Sequence, residues 1–121
     1  MVRLLFLVSV LLCMAVCSTS LVCSKAEPSV STKDATEVTS VSATLNGFLN
    51  GLGDASSVEV FFRWGTGSGY YPNVTPKQTM TSTGEFSCVI FGMIPGTTYY
   101  FLAEADGNGS AQGESKVFYV G

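Results

Sequence analysis

Between residues 41 and 120, apolar side chains recur at every second position in short runs. No stretch after residue 26 carries the i, i+3, i+4 apolar repeat of an amphipathic helix. Period-two runs separated by Gly, Pro, Asn and Asp at intervals of about 8–12 residues predict an all-β chain of seven strands. The first lies near residues 29–32. The second covers 41–49 and turns Ala43, Leu45, Gly47 and Leu49 inward. In the third, 58–64, Val58, Val60, Phe62 and Trp64 face the core while Glu59, Phe61 and Arg63 face out. A short fourth strand is expected at 78–81, and a fifth follows Gly84 with Phe86, Cys88 and Ile90 inward. The sixth alternates Tyr99, Phe101, Ala103 and Ala105. The Asp106-Gly107-Asn108-Gly109 hairpin tip then leads to a seventh strand at 115–120 with Phe118 inward.

The sharpest local signal is Met93-Ile94-Pro95-Gly96-Thr97-Thr98-Tyr99. Pro95 presets φ for a tight turn and Gly96 accepts a conformation costly to other residues. Tyr99 stands where a ring is buried and its hydroxyl returns to the backbone. Such a corner belongs to a β-sandwich, and it predicts a core built from Trp64, Tyr99, Phe101 and Phe118.

Residues 1–26 are written differently. Arg3 precedes an apolar run, and Ser24-Lys25-Ala26 offers the small residues that an export peptidase recognises, so cleavage before Glu27 is expected. The rival is an uncleaved anchor through residues 4–23, the only predicted link to a membrane. Cys13, Cys17 and Cys23 follow Leu12, Val16 and Val22, where a lipoprotein signal has small residues. Residues 27–121 then form one module with a single core and a single cysteine, Cys88, read as a small buried hydrophobe. It carries four basic against nine acidic residues, a net charge of −5, with Lys33, Arg63, Lys77 and Lys116 scattered. A nucleic-acid partner is not expected, because phosphate recognition needs clustered cations.

The strand order, the inward Trp64, the Met93-x-Pro95-Gly96-Thr97-x-Tyr99 corner and the closing Phe118 together resemble a fibronectin type III domain over about residues 28–121. Single modules of microbial surface proteins are similar at Ser42-Ala43-Thr44-Leu45-Asn46-Gly47 and Trp64-Gly65-Thr66. Two departures stand out. The tryptophan ends the third strand where animal modules place theirs on the second, and there is no Arg-Gly-Asp tripeptide. The resemblance implies an immunoglobulin-like sandwich acting as a spacer, adhesive or interaction module.

The residue inventory predicts no catalysis and no cofactor. The chain has no histidine, which removes Ser-His and Cys-His activation and an imidazole metal ligand, and one mature cysteine builds no thiolate site. Glu59 and Glu104 form a carboxylate pair, but on a flat outward face rather than in a glycosidase cleft. Asp106-Gly107-Asn108-Gly109-Ser110 opens like a calcium loop, yet Ala111 and Val117 occupy the positions where Gly and Glu are needed. Gly65-Thr66-Gly67-Ser68-Gly69 lacks the lysine and helix of a phosphate loop. Asn73 and Asn108 begin glycan acceptor triplets, both expected in loops.

The outer face of the third, sixth and seventh strands should present Phe61, Tyr100, Leu102, Val117 and Tyr119, an apolar stripe that reads as a contact face for a protein, a cell-surface component or another copy. The expected role is a non-catalytic interaction module, secreted or held at the cell surface. A self-assembling filament or surface-layer subunit is the alternative. A small carbohydrate-active hydrolase is the distant third.

Overall fold

The computed structural model describes residues 26–121. The expected signal or anchor, with its segment 4–23, lies outside the described residues except for Ala26. Among the described residues no helix is long and apolar enough to cross a membrane.

Nine strands form two antiparallel sheets packed as a β-sandwich: β1 (Ser29–Thr36), β2 (Ser42–Gly51), β3 (Val58–Gly65), β4 (Asn73–Val74), β5 (Gln78–Met80), β6 (Gly84–Phe91), β7 (Thr97–Gly107), β8 (Gly109–Gln112) and β9 (Lys116–Val120). One sheet has the order β1-β2-β6. The other runs β9-β7-β3, with β4 and β5 both on the free side of β3 and β8 beside β7. Alternation decides what goes inside. Ala43, Leu45 and Leu49 on β2 and Val58, Val60 and Phe62 on β3 are fully buried, opposite Phe101, Ala103 and Ala105 on β7. Gly47 belongs to the same inward series because a Cβ there would meet the Phe86 ring at 2.7 Å.

An aromatic chain runs through this core. Phe62 packs on Phe86 and Phe101, Phe101 meets Phe118 edge-on, and Phe118 stacks on Tyr99 with centroids 5.6 Å apart. Trp64 closes it, edge-on to Tyr99 at 5.8 Å. It is only half-buried, because it sits at the end of β3 where the sandwich opens. The corner is built as its residues dictate. Gly96 adopts φ +85°, its N–H donates to the Val120 carbonyl at 2.6 Å, and the Ile94 N–H donates to the Tyr99 hydroxyl at 2.9 Å. Cys88 is half-buried against the core.

Seven strands were expected and nine are present among the described residues. β1 runs four residues past the predicted end, and its pairing with β2 shifts register between Lys33 and Thr36. Asn46 holds that irregularity, its Nδ2 donating to the Asp34 carbonyl at 2.8 Å and the Thr36 hydroxyl at 2.9 Å. The two-residue β4 was not anticipated. The predicted hairpin from Asp106 to the last strand is split into β8 and β9 by Gly113, whose N–H donates to the Ala103 carbonyl. A Cβ on Gly113 would collide with Thr32, so only glycine lets β1 approach this closely. The buried Thr32 hydroxyl in turn accepts the Ala103 N–H at 3.0 Å and seals this side of the sandwich across the two sheets.

Candidate interaction face

Register places all five residues of the predicted stripe on one face. Phe61 lies opposite Glu104 and Arg63 opposite Leu102 between β3 and β7, while Val117 lies opposite Tyr100 and Tyr119 opposite Thr98 between β9 and β7. The stripe is not continuous in its exposure. Val117 is 57% and Tyr119 62% exposed and Tyr100 is half-buried, but Leu102 is 7% and Phe61 only 1% exposed.

Two cations lie over Phe61, and three carboxylates hold them. Lys77, in the segment between β4 and β5, holds its Nζ 5.2 Å from the ring centroid, and the Arg63 guanidinium lies 5.6 Å away. Both are positioned by acids. Lys77 Nζ is 3.9 Å from Glu59 and 3.8 Å from Asp106, and Arg63 Nε donates to Glu104 Oε1 at 2.5 Å. Glu104 is buried despite facing outward, and Gln112 Nε2 donates to the same oxygen at 3.2 Å. A buried carboxylate is tolerable here because a guanidinium and an amide both donate to it.

A second cover lies further along. The Tyr71 hydroxyl donates to Ser115 Oγ at 2.7 Å. That bond joins the loop after β3 to the residue before β9 and therefore crosses β7, the strand that carries Leu102. What remains open is the β9 flank, with Val117 and Tyr119 beside the half-buried Tyr100; Tyr70 is also exposed, in the loop after β3.

The other predicted positions are placed as follows. Glu59 and Glu104 point to the same side but are engaged separately, by Lys77 and Arg63. Asp54, Glu59 and Asp106 line an open depression of about 580 Å³ at one pole. Each has a partner there, since Asp54 accepts the Ala26 N–H at 2.8 Å and Lys77 serves the other two. Among the described residues no group of three His, Cys, Asp or Glu side chains is placed to hold a metal ion. Asp106-Gly107-Asn108-Gly109 is the β7–β8 hairpin tip, with Gly107 paired to Gly109 and Gly109 at φ +94°. Asn108 sits at this tip. Asn73 is in the short strand β4 rather than a loop, and its Nδ2, the atom a glycan would bond to, donates to the Trp64 carbonyl at 3.3 Å.

Sequence reasoning missed Lys77, Tyr71, Gln112 and Ser115 as parts of this face. The sequence carries no periodic signal for Lys77, Tyr71 and Gln112, which lie outside the three strands that define the stripe; Ser115, expected in the seventh strand, instead immediately precedes β9.

No protein-family model matches the chain. No curated protein matches it in sequence. Among solved structures it is similar to the sensor domain of the anti-sigma factor RsgI4 from Pseudobacteroides cellulosolvens. A short form of that domain superposes with a TM-score of 0.66 at 20% identity, covering 80% of this chain and 97% of that one. Its solution structure gives a TM-score of 0.63 at 19% identity, covering 77% and 74%. At this identity the likeness concerns fold, and the fold is an all-β sandwich of two antiparallel sheets.

Proposed function

We propose that the chain is a non-catalytic interaction module of the fibronectin type III kind, exported to the cell surface or beyond, which binds a protein or cell-surface component through the β9 flank of its larger sheet. The observation that carries this reading is the exposure of Val117 and Tyr119 beside Tyr100, on a face whose other apolar residues, Phe61 and Leu102, are covered within the chain. That the fold closes two of five outward apolar residues and leaves Val117 and Tyr119 open beside a half-buried Tyr100 supports reading this flank as a contact surface. Tyrosine suits such a surface, since it combines a large apolar ring with a hydroxyl that tolerates water. The structures of similar fold come from a sensor domain, a module class in keeping with recognition rather than turnover. The partner of that protein is not carried over.

The test is Val117→Ser with Tyr119→Ser, read by capture of binding components from fractionated host surface material and by thermal unfolding. Both residues are exposed, so unfolding should change little while capture is lost. Retained capture by a stably folded double variant would place the contact elsewhere.

A further inference from the structure

The three-stranded sheet ends at β6, and this edge differs from the edges at β1 and at β4–β5. β6 pairs with β2 from Ser42 opposite Phe91 to Leu49 opposite Gly84 without a register shift. Its Ser87 carbonyl turns away from β2, because it accepts Gln78 Nε2 at 2.8 Å. Antiparallel alternation then sends the main-chain N–H and C=O groups of Glu85, Val89 and Phe91 to the same open side. The side chains beside them are apolar and uncovered: Val89 is 49% exposed and Phe91 72%.

Natural edges are blunted by proline, lysine, bulges or a covering element. β1 has its irregularity at Lys33–Thr36 and its contact with β7 through Thr32. The β4–β5 edge has Pro72, Pro76 and Lys77. Between Gly84 and Phe91 there is no proline, no lysine and no bulge; the edge carries one charge, Glu85, the Gln78 side chain laid on the Ser87 carbonyl, and a weak Cys88 Sγ contact to the Val89 carbonyl at 3.7 Å.

The opposite sheet decides what fits. β6 packs across the core against β3, while β5 continues that sheet one strand further. Gln78 and Met80 lie opposite the buried Val60 and Val58, so they face inward, yet both are only half-buried; Gln78 reaches the Ser87 carbonyl of β6 and Met80 packs against the rim of the core. A strand added to β6 would lie about 4.8 Å further out in the pairing direction, and so over β5. A second copy approaching edge to edge would bring its own β5 overhang into the same space.

We propose that this edge takes up a single extended segment of another protein, which adds to β6 as a further strand and displaces Gln78 from the Ser87 carbonyl. Its main chain would bond to Glu85, Ser87, Val89 and Phe91. One set of its alternate side chains would be apolar and lie over Met80, and the other set would lie beside Val89 and Phe91. The segment is uncharged or basic, because Glu85 stands at the end of the edge and residues 27–121 carry a net charge of −5. The proposal rests on the chain being an interaction module but uses the sheet opposite the Val117–Tyr119 surface.

The probe is a synthetic nine-residue peptide of alternating threonine and valine with a lysine at each end, added to the chain while amide hydrogen exchange is followed residue by residue. The Val89 and Phe91 amides should gain at least about tenfold protection. Gln78→Ala should tighten binding, and Val89→Pro should abolish it. Where Val89→Pro does not fold, Val89→Lys with Phe91→Lys serves instead, and Val117→Ser with Tyr119→Ser should leave peptide protection unchanged. Absence of protection at Val89 and Phe91 up to millimolar peptide overturns the proposal. So does concentration-dependent dimerisation lost in Val89→Pro, which would assign the edge to a second copy.

Discussion

Phe61 faces away from the core of the sandwich and yet is as buried as the residues inside it. Replacing it with alanine therefore tests whether the charged cover above it is a structural element or a crowd of solvated side chains. A core Phe→Ala change costs about 3–5 kcal/mol. Two features pull in opposite directions here. The cover is made of long side chains able to collapse into the space, which lowers the cost, while two cations within 6 Å of the ring centroid add about 0.5–1 kcal/mol each. About 3 kcal/mol is the expected loss, against a total near 5–14 kcal/mol for a module of this size. With a urea slope of about 1–1.5 kcal/mol/M, the midpoint should fall by roughly 2–3 M without a change in slope. Urea unfolding followed through Trp64, the sole tryptophan, reads this directly. Tyr119→Ala, on the same face but exposed, should shift stability by less than about 0.5 kcal/mol. If Phe61→Ala were as neutral as Tyr119→Ala, the charged cluster would be no cover at all and the stripe expected from the sequence would be open.

Tyr99→Phe should cost about 1–2 kcal/mol, because the ring keeps its stacking on Phe118 while the Ile94 N–H loses its acceptor; an unchanged urea midpoint would mean that the corner bond contributes nothing. Trp64→Ala, half-buried, should cost about 2–3 kcal/mol, less than a fully enclosed tryptophan would. Thr32→Val keeps the shape but strands the Ala103 N–H in the interior, so a loss of about 1–3 kcal/mol and faster exchange of the Ala103 amide are expected, and unaltered exchange would contradict the link between sheets. N-terminal sequencing of exported protein should start at Glu27, whereas a chain beginning at Met1 that resists carbonate extraction would establish the anchor.

By itself the sequence determined the all-β class, the faces of β2, β3 and β7, the corner at Pro95–Gly96–Tyr99 and the core from Trp64 to Phe118. These are period-two patterns or turn chemistry within a few residues, where the steric and burial preferences of each side chain act locally. Tertiary structure decided the rest. Gly113 divides the last hairpin because Thr32, some eighty positions earlier, packs against it. Phe61 is covered because Lys77 reaches back over β3 to Glu59 and Asp106. Leu102 is buried although it faces outward, on the strand β7 that the bond between Tyr71 and Ser115, 44 residues apart, crosses. Alternation along a strand says which way a side chain points, but whether water reaches it depends on loops and long charged side chains that arrive from distant parts of the chain.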